Sequence, residues 1–149
     1  MPAGGNRNLI IGAIILAAVL VIAAGAYLYT RPGAQAVVSD VTTDSGLRIQ
    51  DLKIGDGPSP TLGQTVTVHY TGWLENGTQF ETSRTGRPAQ FQLGGGLIKG
   101  WTEGLATMKV GGIRKLIIPS KLAYGATGSP PKIPPNSNLT FEIELLDVK

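Results

Sequence analysis

Polar and apolar positions fall into two regimes along this chain. Between Leu9 and Tyr29 the run LIIGAIILAAVLVIAAGAYLY holds no charged residue, whereas beyond Asp44 apolar positions recur with short periods. At ~1.5 Å rise per residue, about twenty apolar residues span a hydrocarbon core of roughly 30 Å. The first regime therefore predicts one N-terminal transmembrane helix over residues 9–29, behind a tail of residues 1–8. Tyr27 and Tyr29 stand at its C-terminal end, where interfacial aromatics sit, and Arg7 and Arg31 flank it. A cleaved signal peptide has a shorter apolar region, roughly 7–15 residues, before a small-x-small site. The length favours an uncleaved signal anchor, while AGA at Ala24–Ala26 and AQA at Ala34–Ala36 keep cleavage open. Either way the rest of the chain is expected on the extracytoplasmic side, tethered in the first case, secreted or periplasmic in the second.

Residues 30–43, TRPGAQAVVSDVTT, show no period and contain Pro, Gly and Ser, so they read as a linker. The folded domain is then 44–149. SGLRIQDLKIG places Leu47, Ile49, Leu52 and Ile54 in a strand with an irregularity. QTVTVHYTGWLE alternates cleanly, with Val66, Val68 and Tyr70 on one face and Thr65, Thr67, His69 and Thr71 on the other. Asn76-Gly77 predicts a two-residue type I′ hairpin turn leading into TQFET. LIKGWTEGLATMK is the helical candidate of this domain, with Leu97, Ile98, Trp101, Leu105 and Met108 on one face. Gly111–Pro119 and Asn138–Lys149 are β runs, separated by a long Gly- and Pro-rich segment of the kind that carries function in compact domains. Together these elements make an α+β fold, an antiparallel sheet with one short helix on its apolar face.

Composition narrows the chemistry. There is no cysteine, which removes disulfides, thiol catalysis and thiolate metal sites. About a hundred residues beyond the linker suffice for one core. The net charge of +3 comes from basic residues scattered singly apart from Arg114-Lys115, so they read as solvated surface and no nucleic-acid partner is implied.

His69, the sole histidine, adjoins Tyr70 and so resembles half of an acid–base pair. Strand alternation separates the two, because neighbouring side chains point to opposite faces. His69 then lies on the threonine face without a second metal ligand or a nucleophile to activate. Tyr70 points to the apolar side, either as a satisfied core residue or as a polar group in a pocket. LGGGLIKG fails as a phosphate loop, having neither Gly-Lys-Ser/Thr nor a third glycine in place. Glu142 and Glu144 share a strand face and read as solvated. Asn76 and Asn138 head glycosylation sequons, relevant only in a host that glycosylates. Tyr70, Phe80, Phe91, Trp101, Tyr124 and Phe141 come from six segments and form either a plain core or an aromatic-lined cleft.

VHYTGWLENGTQFETSR, IKGWTEGLATMKVGG and IPSKLAYGATGSPPKIPPNSNLTFEIELL resemble, in order and spacing, the FKBP-type peptidyl-prolyl cis–trans isomerases over residues 44–149. The resemblance implies an antiparallel sheet of five to six strands wrapped around one short helix. It implies a proline pocket walled by Tyr70, Phe80, Phe91, Leu97, Ile98, Tyr124 and Phe141, floored by Trp101 and capped by Ile133. The Ile98 N–H and Tyr124 hydroxyl would bond ligand carbonyls. Glu81 stands where the family usually has Asp. One residue is missing before RPAQF, so either Arg84 or Arg87 supplies the usual arginine. Ala89 replaces a frequent aromatic, and Ser129 and Lys132 change the loop tip. The implied function is isomerisation of X-Pro bonds, assisting the folding of exported or membrane proteins, without metal or cofactor. Its partners would be proline-containing polypeptides and macrolide inhibitors, with the membrane engaged through residues 9–29. The alternative is a proline-peptide-binding chaperone or scaffold module with little turnover.

Overall fold

The computed structural model describes residues 36–149. The tail 1–8, the predicted membrane helix over 9–29 and the first part of the linker lie outside the described residues. Among the described residues no helix is long and apolar enough to cross a membrane.

Seven strands form one antiparallel sheet: β1 (Ser39–Thr42), β2 (Arg48–Lys53), β3 (Thr65–Leu74), β4 (Gln79–Thr82), β5 (Ala89–Gln92), β6 (Ile113–Ile118) and β7 (Leu139–Val148). Their order is β1-β2-β6-β7-β3-β4, with β5 also paired to β3. Seven exceeds the five to six that the resemblance implies, and two strands, β1 and β5, are not expected from the pattern. β1 lies inside the stretch read as linker: its pattern is weak because Val41 is 56% exposed, and its order comes from pairing with β2. The ordered body therefore begins before Asp44. β5 is a four-residue strand, too short to show a period, and pairs with the first half of β3.

β3 and β7 pair over almost their whole lengths at the centre of the sheet, from Val66 opposite Val148 to Leu74 opposite Leu139, with one register shift after Thr67. Alternation holds as predicted. Leu139, Phe141, Ile143 and Leu145 are buried, as are Val66, Val68 and Tyr70. The β3–β4 turn differs from the expectation of two residues with positive φ. Gly77 alone has positive φ, at 87°, Gly77 N–H donates to the Leu74 carbonyl at 2.9 Å and Leu74 N–H to the Thr78 carbonyl at 2.8 Å. This is a three-residue loop closed by a left-handed glycine. Asn76 does not need the left-handed region because its Oδ1 accepts the Thr78 N–H at 2.9 Å.

The helix α1 runs Lys99–Ala106 and lies on the inner face of the sheet. Its glycines make that approach. A Cβ on Gly100 would come within 2.5 Å of Ile118, and one on Gly104 within 2.5 Å of Leu116. Trp101, Leu105 and the following Met108 complete the core. Arg114 corrects the reading of basic residues as surface. It alternates with Leu116 and Ile118 on the buried side of β6 and is 7% exposed. Its guanidinium grips Asp51 at 2.7 and 3.1 Å, and donates to the Gly104 carbonyl at 2.8 Å and the Thr107 hydroxyl at 2.7 Å. A cation there meets the negative end of the helix dipole.

Candidate active site

The sheet and α1 leave a cleft lined by Tyr70, Glu81, Phe91, Leu97, Ile98, Trp101, Tyr124 and Phe141, with a volume of about 150 Å³. Apolar cavities of this order accept a single small ring. Every lining residue was singled out from sequence, and each reaches the cleft by a separate route. Tyr70 and Phe141 stand on β3 and β7, Glu81 on β4 opposite Gly72, and Phe91 on β5 opposite Val66. Leu97 and Ile98 precede α1, Trp101 lies in its first turn, and Tyr124 comes from the loop between β6 and β7.

Trp101 is the floor. Tyr70, Phe91 and Phe141 stand edge-on around it with ring centroids at 5.1, 5.4 and 5.2 Å. Such T-shaped pairs are each favourable by about 0.5–1.5 kcal/mol beyond burial, so the cleft walls are preorganised. The Trp101 indole N–H is buried without an acceptor among the described residues. The Ile98 N–H donates to no carbonyl among the described residues, while its carbonyl accepts the Trp101 N–H at 3.0 Å.

Three of the expected site residues lie elsewhere. Phe80 packs behind Phe141, T-shaped at 5.6 Å, and supports the wall without lining it. Ile133 is 4% exposed and joins the core. It closes its loop through a reciprocal pair of backbone bonds with Ser129 at 2.8 and 3.0 Å. Arg84 follows β4 with the parity of Thr82, which faces Thr71 on the outer side of the sheet. There it pairs with Glu144 at 3.0 Å and Glu142 at 3.9 Å. Arg87 is exposed and, among the described residues, makes no ion pair.

Two supporting residues escaped the sequence reading. Gly72 lies beneath both phenylalanines, where a Cβ would come within 2.7 Å of the Phe141 and Phe80 rings. A glycine inside a strand is the signal that marked it. Ser83 accepts the Tyr70 N–H on its Oγ at 2.9 Å, and its own N–H donates to the Tyr70 carbonyl at 2.9 Å. The same Oγ is 3.0 Å from His69 Nδ1. His69 sits opposite Glu144 on the outer face, away from the cleft.

The cleft is apolar apart from two phenols, one carboxylate and backbone groups. Burial, then the negative charge of Glu81, pushes the Tyr70 hydroxyl up to about 12. The same two causes, in the same order, raise Tyr124. Both phenols are therefore neutral donors at physiological pH. This arrangement lacks a paired nucleophile and base; it provides a shaped, largely apolar receptacle for one small ring with hydrogen-bond donors at its edge.

The match to known proteins covers the same region. A family model described as FKBP-type peptidyl-prolyl cis-trans isomerase matches residues 57–146. The FK506-binding protein of Neisseria meningitidis serogroup B is 54% identical over 105 residues, which cover 69% of this chain and 96% of that protein. FK506-binding protein 1 of Dictyostelium discoideum is 50% identical over 106 residues, covering 70% of this chain and 99% of that protein. Among solved structures, FkpA from Escherichia coli superposes with a TM-score of 0.71 at 49% identity; the alignment covers 75% of this chain but only 52% of that one. A peptidyl-prolyl cis-trans isomerase from Pseudomonas syringae gives 0.70 at 38% identity, covering 78% of this chain and 86% of that one.

Proposed function

This chain belongs to the FKBP-type peptidyl-prolyl cis–trans isomerases, and we propose that it rotates X-Pro bonds of exported or membrane polypeptides in the Trp101-floored cleft. The observation that carries the assignment of the site is the convergence of Tyr70, Phe91, Trp101, Tyr124 and Phe141, from five separate elements, on one small apolar volume.

The chemistry suits such a volume. Amide resonance sets a barrier of ~18–20 kcal/mol, and uncatalysed X-Pro bonds turn in tens of seconds or more. No covalent bond has to form. Twisting the C–N bond breaks resonance and makes the amide less dipolar, so a dry aromatic cleft favours the twisted state over the planar one. That is differential stabilisation of the transition state, and each ~1.4 kcal/mol of it is tenfold in rate. The prolyl ring sits on Trp101, while the Ile98 N–H and the Tyr124 hydroxyl hold the flanking carbonyls. Fixing both sides of the rotating bond turns a floppy peptide into one poised to twist. Macrolides of the FK506 type are competing ligands of the same cleft; similarity to FK506-binding proteins supports this.

An extracytoplasmic location, tethered through residues 9–29 or released after cleavage, rests on the length and apolarity of that run. N-terminal sequencing of the mature protein tests it: Met1 or Pro2 means tethered, a start near Tyr27 or Val37 means released.

Turnover is tested by the slow, proline-limited phase of refolding or by protease-coupled X-Pro peptides. Wild type accelerates isomerisation, and Phe141→Leu, which keeps an apolar wall but loses the ring contact with Trp101, lowers kcat/KM about tenfold. A wild-type rate equal to solvent, with peptide binding retained, would leave the binding-module reading in its place.

A further inference from the structure

Among the residues lining the cleft, Glu81 is the only acidic or basic one. Neither arginine that could pair with it does so: Arg84 bonds Glu144 and Glu142 on the outer face, and Arg87 neither lines the cleft nor makes an ion pair among the described residues. Glu81 itself makes no ion pair among the described residues. Its neighbours in the cleft are the Tyr70 and Tyr124 hydroxyls, which are neutral and cannot cancel its charge. The cleft mouth thus carries one uncompensated carboxylate over low-dielectric aromatic walls, which concentrate its field.

We propose that Glu81 makes this isomerase selective for prolines flanked by lysine or arginine. The inference rests on the cleft being the isomerase site. A cation beside the bound proline supplies the partner that Arg84 does not, and an anion there is repelled. The chain as a whole has a net charge of +3, so its overall field opposes cationic peptides. A preference for them has to come from a local group. Because Glu81 is exposed, the effect is that of a solvated ion pair, roughly two- to fivefold.

The test is a peptide series that differs only in the residue before or after proline, with Lys, Leu or Glu at that place. Both kcat/KM and the dissociation constant, read from tryptophan fluorescence, are measured for each. Wild type is expected to favour Lys over Leu and Leu over Glu at one or both places, with the ratios shrinking toward one in ~1 M salt. Within Glu81→Gln the Lys-to-Leu ratio falls to about one, and within Glu81→Lys it inverts. Ratios are compared inside each protein, so a general change in rate cancels. Ratios near one in wild type at both places, or an unchanged ratio in Glu81→Gln, overturn the proposal. If no peptide, Leu included, turns faster than in solvent, the isomerase reading of the cleft fails separately, and the dissociation constants still decide the charge preference.

Discussion

Arg114 and Asp51 face each other across β6 and β2 in a two-pronged pair, Nε to Oδ1 at 2.7 Å and Nη2 to Oδ2 at 3.1 Å. The same guanidinium holds the end of α1 through Gly104 and Thr107. Helix and sheet, and with them the floor and walls of the cleft, are joined by one buried cation.

Arg114→Met should therefore destabilise the domain by about 3 kcal/mol, the lower end for breaking a buried pair. The lower end applies because the Asp51 side chain remains 14% exposed. Removing the stranded carboxylate as well, in Arg114→Met with Asp51→Leu, should recover part of the loss. Urea unfolding measures both, and a double variant less stable than the single one contradicts this account.

The acid limb of stability follows from the same pair. Burial by itself would raise Asp51, but hydrogen bonds from Arg114 and Ser39 hold it below the usual carboxylate range. Because the folded value lies below the unfolded one, the pair's contribution is complete above pH ~4 and is lost as pH falls through the folded value. Thermal unfolding followed downward from pH 5 should show a smaller drop in Asp51→Asn than in wild type.

Gly104→Ala tests the helix–sheet approach. A methyl group would press on Leu116 at 2.5 Å, and overpacking of this kind costs about 1–3 kcal/mol. Helix propensity alone predicts the reverse, a gain of about 1 kcal/mol. The sign of the change in urea midpoint separates the two.

Tyr70 should titrate well above an ordinary phenol, at about 12. In Glu81→Gln the value should fall but stay raised, since burial is the larger cause. Tyrosinate absorbance, taken as the difference between each protein and its Tyr70→Phe counterpart, gives the value. The raised value also implies stability that is complete below pH ~10 and declines above it, as the unfolded phenol ionises first.

His69→Gln should leave kcat/KM within about twofold and stability within about 0.5 kcal/mol, as for a substitution away from the core. Among the described residues its side chain bonds the Ser83 hydroxyl, which stays attached to the Tyr70 backbone through its own bond. A tenfold loss would return His69 to the chemistry.

Hydrophobic periodicity alone determined much of this protein. The two-residue period placed Val66, Val68 and Tyr70 inside β3 and kept His69 on the other face, and the helical spacing placed Trp101 and Leu105 against the sheet, whereas Leu97, Ile98 and Met108, expected on the same helical face, flank the shorter α1. These features are local, because side-chain direction follows from backbone geometry within a few residues. Motif resemblance added which aromatics meet. Tertiary structure decided what depends on partners distant in sequence. β1 exists because β2 offers it a ladder. Arg114 is buried because Asp51 and the end of α1 receive its charge. Gly72 and Gly104 carry no side chain because Phe141 and Leu116 fill the space. Arg84 lies on the outer face, where two glutamates on β7 receive its charge, and among the described residues Glu81 has no ion-pair partner. No local pattern encodes these outcomes, since each is a competition among long-range contacts that exists only once the strands have paired.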